Sequence, residues 1–193
     1  MTTIYLARHG ESDWNAELRW QGHADRPLTE RGRRQASELA DRLADIALAA
    51  VYSSDLERAR ATARIVAEAS GLDVVALPEL REIDVGSWSG LTRAEAEERF
   101  PAAYRRWADG GQGWDDGETY EQMAERVVGA VRRIAAGHAG ESVLVVAHGG
   151  PIRAVHAVAL GLDVSEHRRR QRVEPNARVS RIAVENGEIA KLD

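Results

Sequence analysis

The chain has 193 residues, 44% of them apolar and 30% charged, which suits one compact soluble domain spanning 1–193. Its formal net charge of -5 argues against a general binder of nucleic acid or anionic membrane, since both need a basic footprint. The absence of cysteine excludes disulfides and thiolate chemistry. The opening residues MTTIYLARHG carry no signal-peptide pattern, and no apolar run approaches membrane-spanning length. A cytoplasmic protein is therefore expected. The basic residues are nearly all arginine, Lys191 being the one lysine, which reflects overall composition more than function.

In chain order, residues 3–7 form a short apolar, β-capable run that leads straight into Arg8-His9-Gly10. A loop with Gly10, Gly22 and Pro27 follows. Thr29 then has the character of a helix cap, and Ala36, Leu39, Ala40 and Leu43 share one face of the helix it opens. Residues 49–52 read as a second buried strand. Ser54-Asp55-Leu56-Glu57 has capping-box spacing, which places Arg58 in the first turn of the next helix. Another strand is expected near 73–76. Thr92-Arg93-Ala94-Glu95 and Thr119-Tyr120-Glu121-Gln122 are two more capping boxes, the second opening a long helix that ends near Gly137. Residues 142–147 are β-branched and run into His148-Gly149-Gly150, with a helix after Pro151. Asn186-Gly187 between 181–184 and 188–190 signals a hairpin. The segment 99–117, rich in Trp, Arg and Gly, resists assignment.

Strands alternating with helices predict a three-layer α/β/α sandwich with a mostly parallel central sheet. Ligands in such sheets collect at the carboxyl ends of the strands. His9 and His148 both fall there, so two distant histidines become one candidate site. A neutral imidazole with one free nitrogen is a nucleophile. An adjacent Arg8 supplies a fixed charge and a fork suited to phosphate oxygens, and it disfavours a second cation on His9. Gly10 lets backbone approach a ligand closely.

Arg8-His9-Gly10-Glu11-Ser12-Asp13-Trp14-Asn15 resembles the signature of the histidine phosphatase superfamily, the phosphoglycerate-mutase-like enzymes. The resemblance continues through Gln21-Gly22, Pro27-Leu28-Thr29, Gly32 and Gln35-Ala36, then Ser53-Ser54-Asp55-Leu56-Glu57-Arg58-Ala59 and Leu80-Arg81-Glu82-Ile83-Asp84-Val85-Gly86. Val145-Val146-Ala147-His148-Gly149-Gly150 completes it, so it covers nearly the whole chain. It implies that His9 is the phosphorylated nucleophile and Glu82 the general acid. It places Arg8, Arg58 and His148 around the phosphoryl oxygens, and Asn15, Gln21, Gly22 and the Gly149 backbone against the ligand. Phosphoryl transfer is mostly positioning plus charge stabilisation, so two arginines and a protonated His148 would do by side chain what Mg²⁺ does elsewhere. No metal-ligand cluster or cofactor fingerprint is present, and neither is expected.

Asp84 and Asp13 are weaker candidates for the acid. Trp14, Trp20 and Trp88 either wall the pocket or anchor the core. Glu118 either lines the pocket or is a helix-start charge. The run His167-Arg168-Arg169-Arg170 reads as a solvated face, and His23, His138 and His156 as structural or surface residues. The stretch from Glu82 to His148 is shorter than in the superfamily's cofactor-dependent phosphoglycerate mutases, which favours transfer to water over mutase action. A phosphate-binding module without turnover is the reading from another class. The expected partner is a small phosphorylated substrate, with phosphoserine, sugar phosphates, phosphoglycerate derivatives such as glucosyl-3-phosphoglycerate, and α-ribazole phosphate all open. The resemblance also allows a homodimer.

Overall fold

In the computed structural model, which describes residues 1–170 and 173–192, the apolar runs become strands β1 (Thr2–Arg8), β2 (Leu48–Ser53), β3 (Val74–Ala76), β4 (Ser142–Ala147), β5 (Val179–Glu185) and β6 (Glu188–Lys191). They form one sheet in the order β3-β2-β4-β1-β5-β6. The first four strands in that order run parallel, and the β5–β6 hairpin adds antiparallel to β1. The hairpin turns at Asn186 and Gly187, both at positive φ (51° and 82°), the backbone that an Asn-Gly pair tolerates.

The side-chain period of two divides β1 and β4 between two cores. Tyr5, Ala7, Leu144 and Val146 face α2 (Glu30–Leu43) and α3 (Glu57–Ser70), where Leu39, Leu43, Ala63 and Val66 are buried. Ile4, Leu6, Val143 and Val145 face α6 (Tyr120–Ala136) and α7 (Gly149–Ala159) across a core that includes Val127, Val131, Ile152 and Val155. Each large apolar side chain fully buried this way contributes roughly 1.5–3 kcal/mol. The fold is thus the expected α/β sandwich, with helices on both faces of a mostly parallel sheet.

The remaining helices are α1 (Asp13–Ala16), α4 (Arg93–Arg99), α5 (Pro101–Ala108) and α8 (Val164–Arg170). The unassigned 99–117 segment contains α5 and a tail that folds its aromatics inward. Trp88 and Trp114 are buried, and Trp20 meets Trp88, Trp107 and Trp114 edge-on at 5.1–6.1 Å between centroids. Trp20 and Trp88 therefore anchor the core, while Trp14 packs against the Arg26 guanidinium at 4.7 Å.

The caps at Thr29, Thr92 and Thr119 form as expected, the last two as complete capping boxes. The Ser54–Glu57 box does not. The N-cap of α3 is Leu56, which has no capping side chain, and the N–H of Glu57 instead donates to Asp25 Oδ1 at 2.6 Å. Likewise α7 begins at Gly149 rather than after Pro151, because proline is tolerated in a first turn where its missing N–H costs nothing. The loss of one charged cap is worth about 1 kcal/mol. Asp25→Ala should therefore lower unfolding free energy by about that amount in urea titration, and Asp25→Asn should retain most of it; equal loss in both would contradict the capping assignment.

Candidate active site

The parallel register pairs Arg8 of β1 with Ala147 of β4, and the His9 N–H extends the ladder to the Ala147 carbonyl at 3.0 Å. The residues that follow the two strands are consequently neighbours. The His9 and His148 rings lie 5.0 Å apart, tilted by 59°, and both are buried. His9 Nδ1 is 2.6 Å from the Gly10 carbonyl, which can only accept, so the proton resides on Nδ1 and Nε2 keeps its lone pair. Burial first, then the charges of Arg58 and Arg8, hold the His9 pKa well below the usual histidine value. The ring is neutral.

Close backbone contacts fix this loop. The Gly10 N–H donates to Thr62 Oγ1 at 3.0 Å, and a Cβ on Gly10 would stand 2.3 Å from the Gly32 carbonyl oxygen. Thr62 in turn donates to the Arg58 carbonyl at 2.8 Å, tying α3 to the His9 loop.

Arg58 reaches the site because α3 follows β2 almost at once, and the Ser54 N–H is bonded to Val146 of β4 at 3.0 Å. Its guanidinium is buried and donates to the carbonyls of Ala24 (2.7 Å) and Gly22 (2.9 Å). Gly22 has φ +51°, and a Cβ there would meet Val85 Cγ2 at 2.8 Å. Burial lowers the Arg58 pKa to about 10, partly opposed by Glu82 and Asp25, so it stays cationic at neutral pH. Arg8 donates to the Glu174 carbonyl at 2.6 Å. Both arginines are held by carbonyl oxygens rather than by carboxylates, and their charge is left for a ligand.

His148 differs from the protonated group expected from the chemistry of phosphoryl transfer. Both its ring nitrogens are buried without a hydrogen-bond partner among the described residues. Burial, then Arg58, His9 and Arg8, push its pKa well below the usual value, so it is neutral in this arrangement. A cationic His148 requires an anion beside it.

Glu82 sits at the N-terminus of α7. Its carboxylate accepts from the Gly150 N–H (3.1 and 3.2 Å) and from the Ile83 N–H (2.9 Å). A Cβ on Gly150 would lie 2.2 Å from Glu82 Oε1, so a side chain there would displace the carboxylate. Arg81 does not compete for Glu82, because it forks onto Asp55 at 2.7 and 2.5 Å. Gly149 lies in the same first turn of α7, buried and against Val173.

Asn15 and Gln21 are oriented by Ser12, which is fully buried. Asn15 Oδ1 accepts from the Ser12 N–H (3.2 Å) and from Asn176 Nδ2 (3.1 Å), and Gln21 Oε1 accepts from Ser12 Oγ (2.8 Å). With the oxygens so engaged, the amide nitrogens of both residues are turned away from this hub. Sequence reasoning missed Ser12, Thr62, Asn176 and Arg126 as supports. Asn176 also donates to the His9 carbonyl at 3.0 Å. Arg126 donates to the Glu79, Arg81 and Glu82 carbonyls at 2.7–2.9 Å and pairs with Glu118 at 2.6 Å, which gives Glu118 a clamping partner. His23, read as structural, donates to the Glu82 carbonyl at 2.8 Å and shares in that clamp. A buried Thr on the alanine face of α3 was the one legible hint.

The arginine run near the C-terminus is not wholly solvated. His167 is buried, and Arg168 donates to the Gly111 carbonyl at 2.9 Å. Tyr52 and Glu141 flank His138 at 2.9 and 2.7 Å, and His156 bonds Ser180 at 2.8 Å. No helix among the described residues is long and apolar enough to cross a membrane.

The family model of the histidine phosphatase superfamily (branch 1) matches residues 4–192. The chain is 41% identical to a metal-independent phosphoserine phosphatase of Arabidopsis thaliana, over 81% of this chain and 68% of the relative. It is 37% identical to a probable phosphoglycerate mutase, GpmB, of Cronobacter sakazakii, over 88% of this chain and 80% of the relative. The solved structure of a mycobacterial glucosyl-3-phosphoglycerate phosphatase superposes with a TM-score of 0.87 at 33% identity, covering 97% of this chain and 95% of that one. The chain belongs to branch 1 of the histidine phosphatase superfamily and is a histidine-type phosphatase.

Proposed function

We propose that the chain hydrolyses phosphomonoesters of small metabolites through a phosphohistidine on His9, without a metal ion. The observation that carries this reading is the His9–Gly10 hydrogen bond of 2.6 Å, in a neutral ring flanked by Arg8, Arg58 and His148. Nε2 of His9 attacks phosphorus, and the P–O bond to the alcohol breaks. Glu82, protonated, gives its proton to the leaving alkoxide. The Glu82 carboxylate then takes a proton from water, the resulting hydroxide attacks phosphorus, the P–N bond breaks and His9 is regenerated. Arg8 and Arg58 balance the charge on the equatorial oxygens, and a bound phosphoryl dianion makes a cationic His148 affordable.

Substrates are small phosphorylated metabolites, of the kind named for the phosphoserine and glucosyl-3-phosphoglycerate phosphatases above. Mutase action is the second reading, favoured by the likeness to a probable phosphoglycerate mutase. Against it stands the short path from Glu82 to His148, whose bulky residues Trp88 and Trp114 are buried in the core. Conversion of 3-phosphoglycerate to 2-phosphoglycerate, dependent on a bisphosphate primer, would establish the mutase.

His9→Ala should abolish release of phosphate from p-nitrophenyl phosphate, while EDTA leaves the parent protein's rate unchanged; retained activity in the variant, or loss of it in EDTA, contradicts the mechanism. Glu82→Gln should slow alkyl phosphates far more than aryl phosphates, whose leaving groups need no proton, and a uniform loss would remove Glu82 from the acid role. Gly150→Ala should push the carboxylate out of place and lower kcat on alkyl phosphates by roughly a hundredfold at little cost in Tm. A variant with parental kcat would show that the Gly150 contact has no bearing on turnover.

A further inference from the structure

The carbonyl that fixes the His9 tautomer belongs to the Gly10–Glu11 peptide, and the other end of that peptide is also held. The Glu11 N–H donates to Gln35 Oε1 at 2.8 Å. In a trans peptide the N–H and C=O point in opposite directions, so holding the N–H aims the carbonyl. The bonds run in series, from Gln35 on α2 through the peptide to His9 Nδ1.

Helix α2 is built to place Gln35 there. Gly32 and Gln35 are three residues apart on it and share a face. A Cβ on Gly32 would stand 2.0 Å from the Glu11 carbonyl oxygen, so the first turn of α2 lies backbone against backbone on residues 10–11. Long helical side chains lean toward the N-terminus of their helix, which carries the Gln35 amide to the Glu11 N–H. That N–H can only donate, so the amide oxygen of Gln35 must face it. The preceding peptide is pinned from α3, where the Gly10 N–H donates to Thr62 Oγ1 at 3.0 Å. Thr62 thus fixes where Gly10 sits, and Gln35 fixes which way its carbonyl faces.

We propose that Gln35 is a positioning residue for the nucleophile: by holding the Glu11 N–H it aims the Gly10 carbonyl at His9 Nδ1 and keeps Nε2 free to attack phosphorus. Hydrogen bonds in series polarise one another, so the bond to Gln35 makes the Gly10 oxygen a better acceptor. A better acceptor at Nδ1 steadies the positive charge that the ring gains as Nε2 bonds phosphorus. The orienting part that a carboxylate plays for a catalytic histidine in a Ser-His-Asp triad falls here to a peptide group, itself oriented by a glutamine. The consequence for turnover rests on the phosphatase reading; the effect on the ring does not.

Gln35→Met keeps the length of the side chain and removes the acceptor. Its kcat on p-nitrophenyl phosphate should fall by roughly tenfold to a hundredfold with KM little changed, as for a small misplacement of a reacting group. Gln35→Glu, which retains an acceptor oxygen, should keep most of kcat. The readout that a merely structural role would not move is the tautomer. In ¹⁵N NMR of histidine-labelled protein, with the His9 ring identified by its loss in His9→Ala, the proton should sit on Nδ1 in the parent and in Gln35→Glu. Gln35→Met should show a mixture of tautomers. A parent ring protonated on Nε2, an unchanged tautomer in Gln35→Met, or parental kcat in that variant overturns the assignment. Should Gln35→Met fail to fold, Gln35→Ala takes its place with the same expectations and the same contradicting results. A parent protein inactive on p-nitrophenyl phosphate overturns the phosphatase reading, whereas the tautomer shift tests the Gln35 contact independently of turnover.

Discussion

The site depends on the register between two parallel strands. Because Arg8 pairs with Ala147, the residues that leave β1 and β4 emerge side by side, and both are histidines. A slip by one residue would turn every side chain of β1 to the opposite core and separate the rings. The two hydrophobic faces therefore enforce the juxtaposition of the two histidines: Ile4 and Leu6 belong against α6 and α7, and Tyr5 and Ala7 against α2 and α3. Rigid strand ends, with glycines at positions 10 and 32 in backbone contact, hold the His9 imidazole more firmly than a free loop could.

From that arrangement follows an unusual charge distribution. Arg58 is buried against carbonyl oxygens, an expensive environment for a cation without a carboxylate. The same burial keeps His9 and His148 neutral, since neither ring gains by adding a charge to a site that already holds two arginines. The site thus holds buried positive charge at Arg8 and Arg58 that Glu82 and Asp25 offset only in part, an arrangement suited to the phosphoryl dianion of the proposed reaction. Neutral His9 is the consequence that matters for chemistry, because only the neutral ring has a lone pair to give.

The local features of the sequence were legible because their causes are local. Apolar runs gave β1 and β4, alternation divided their faces, and the caps at Thr29, Thr92 and Thr119 formed as read. The Ser54 box failed because Asp25, far away in the chain, reached the Glu57 N–H first. The arginine run departs from its reading only in part and for a similar reason: Arg169 and Arg170 are exposed as expected, but Tyr120 and Gly111, on other elements, draw Arg168 inward. His9, Arg58, Glu82 and His148 were placed from motif resemblance and strand-end position, and all four converge. Ser12 holds Asn15 through a capping box whose i,i+3 spacing is visible in the sequence, whereas the Asn176 bond to Asn15 comes from a distant loop that no spacing announces. His148 was expected cationic for its place beside the phosphoryl oxygens, and its burial, which lowers its pKa, is a tertiary property that the local sequence does not carry.

The His9–Gly10 hydrogen bond makes a claim about a single atom. If it sets the tautomer, the phosphoryl group must attach to the far nitrogen of the ring. Quenching the enzyme in turnover, denaturing it and locating the phosphate by ³¹P and ¹⁵N NMR measures this directly. Phosphate on Nε2 of His9 is the expected result. Phosphate on Nδ1, or on any other residue, would contradict it.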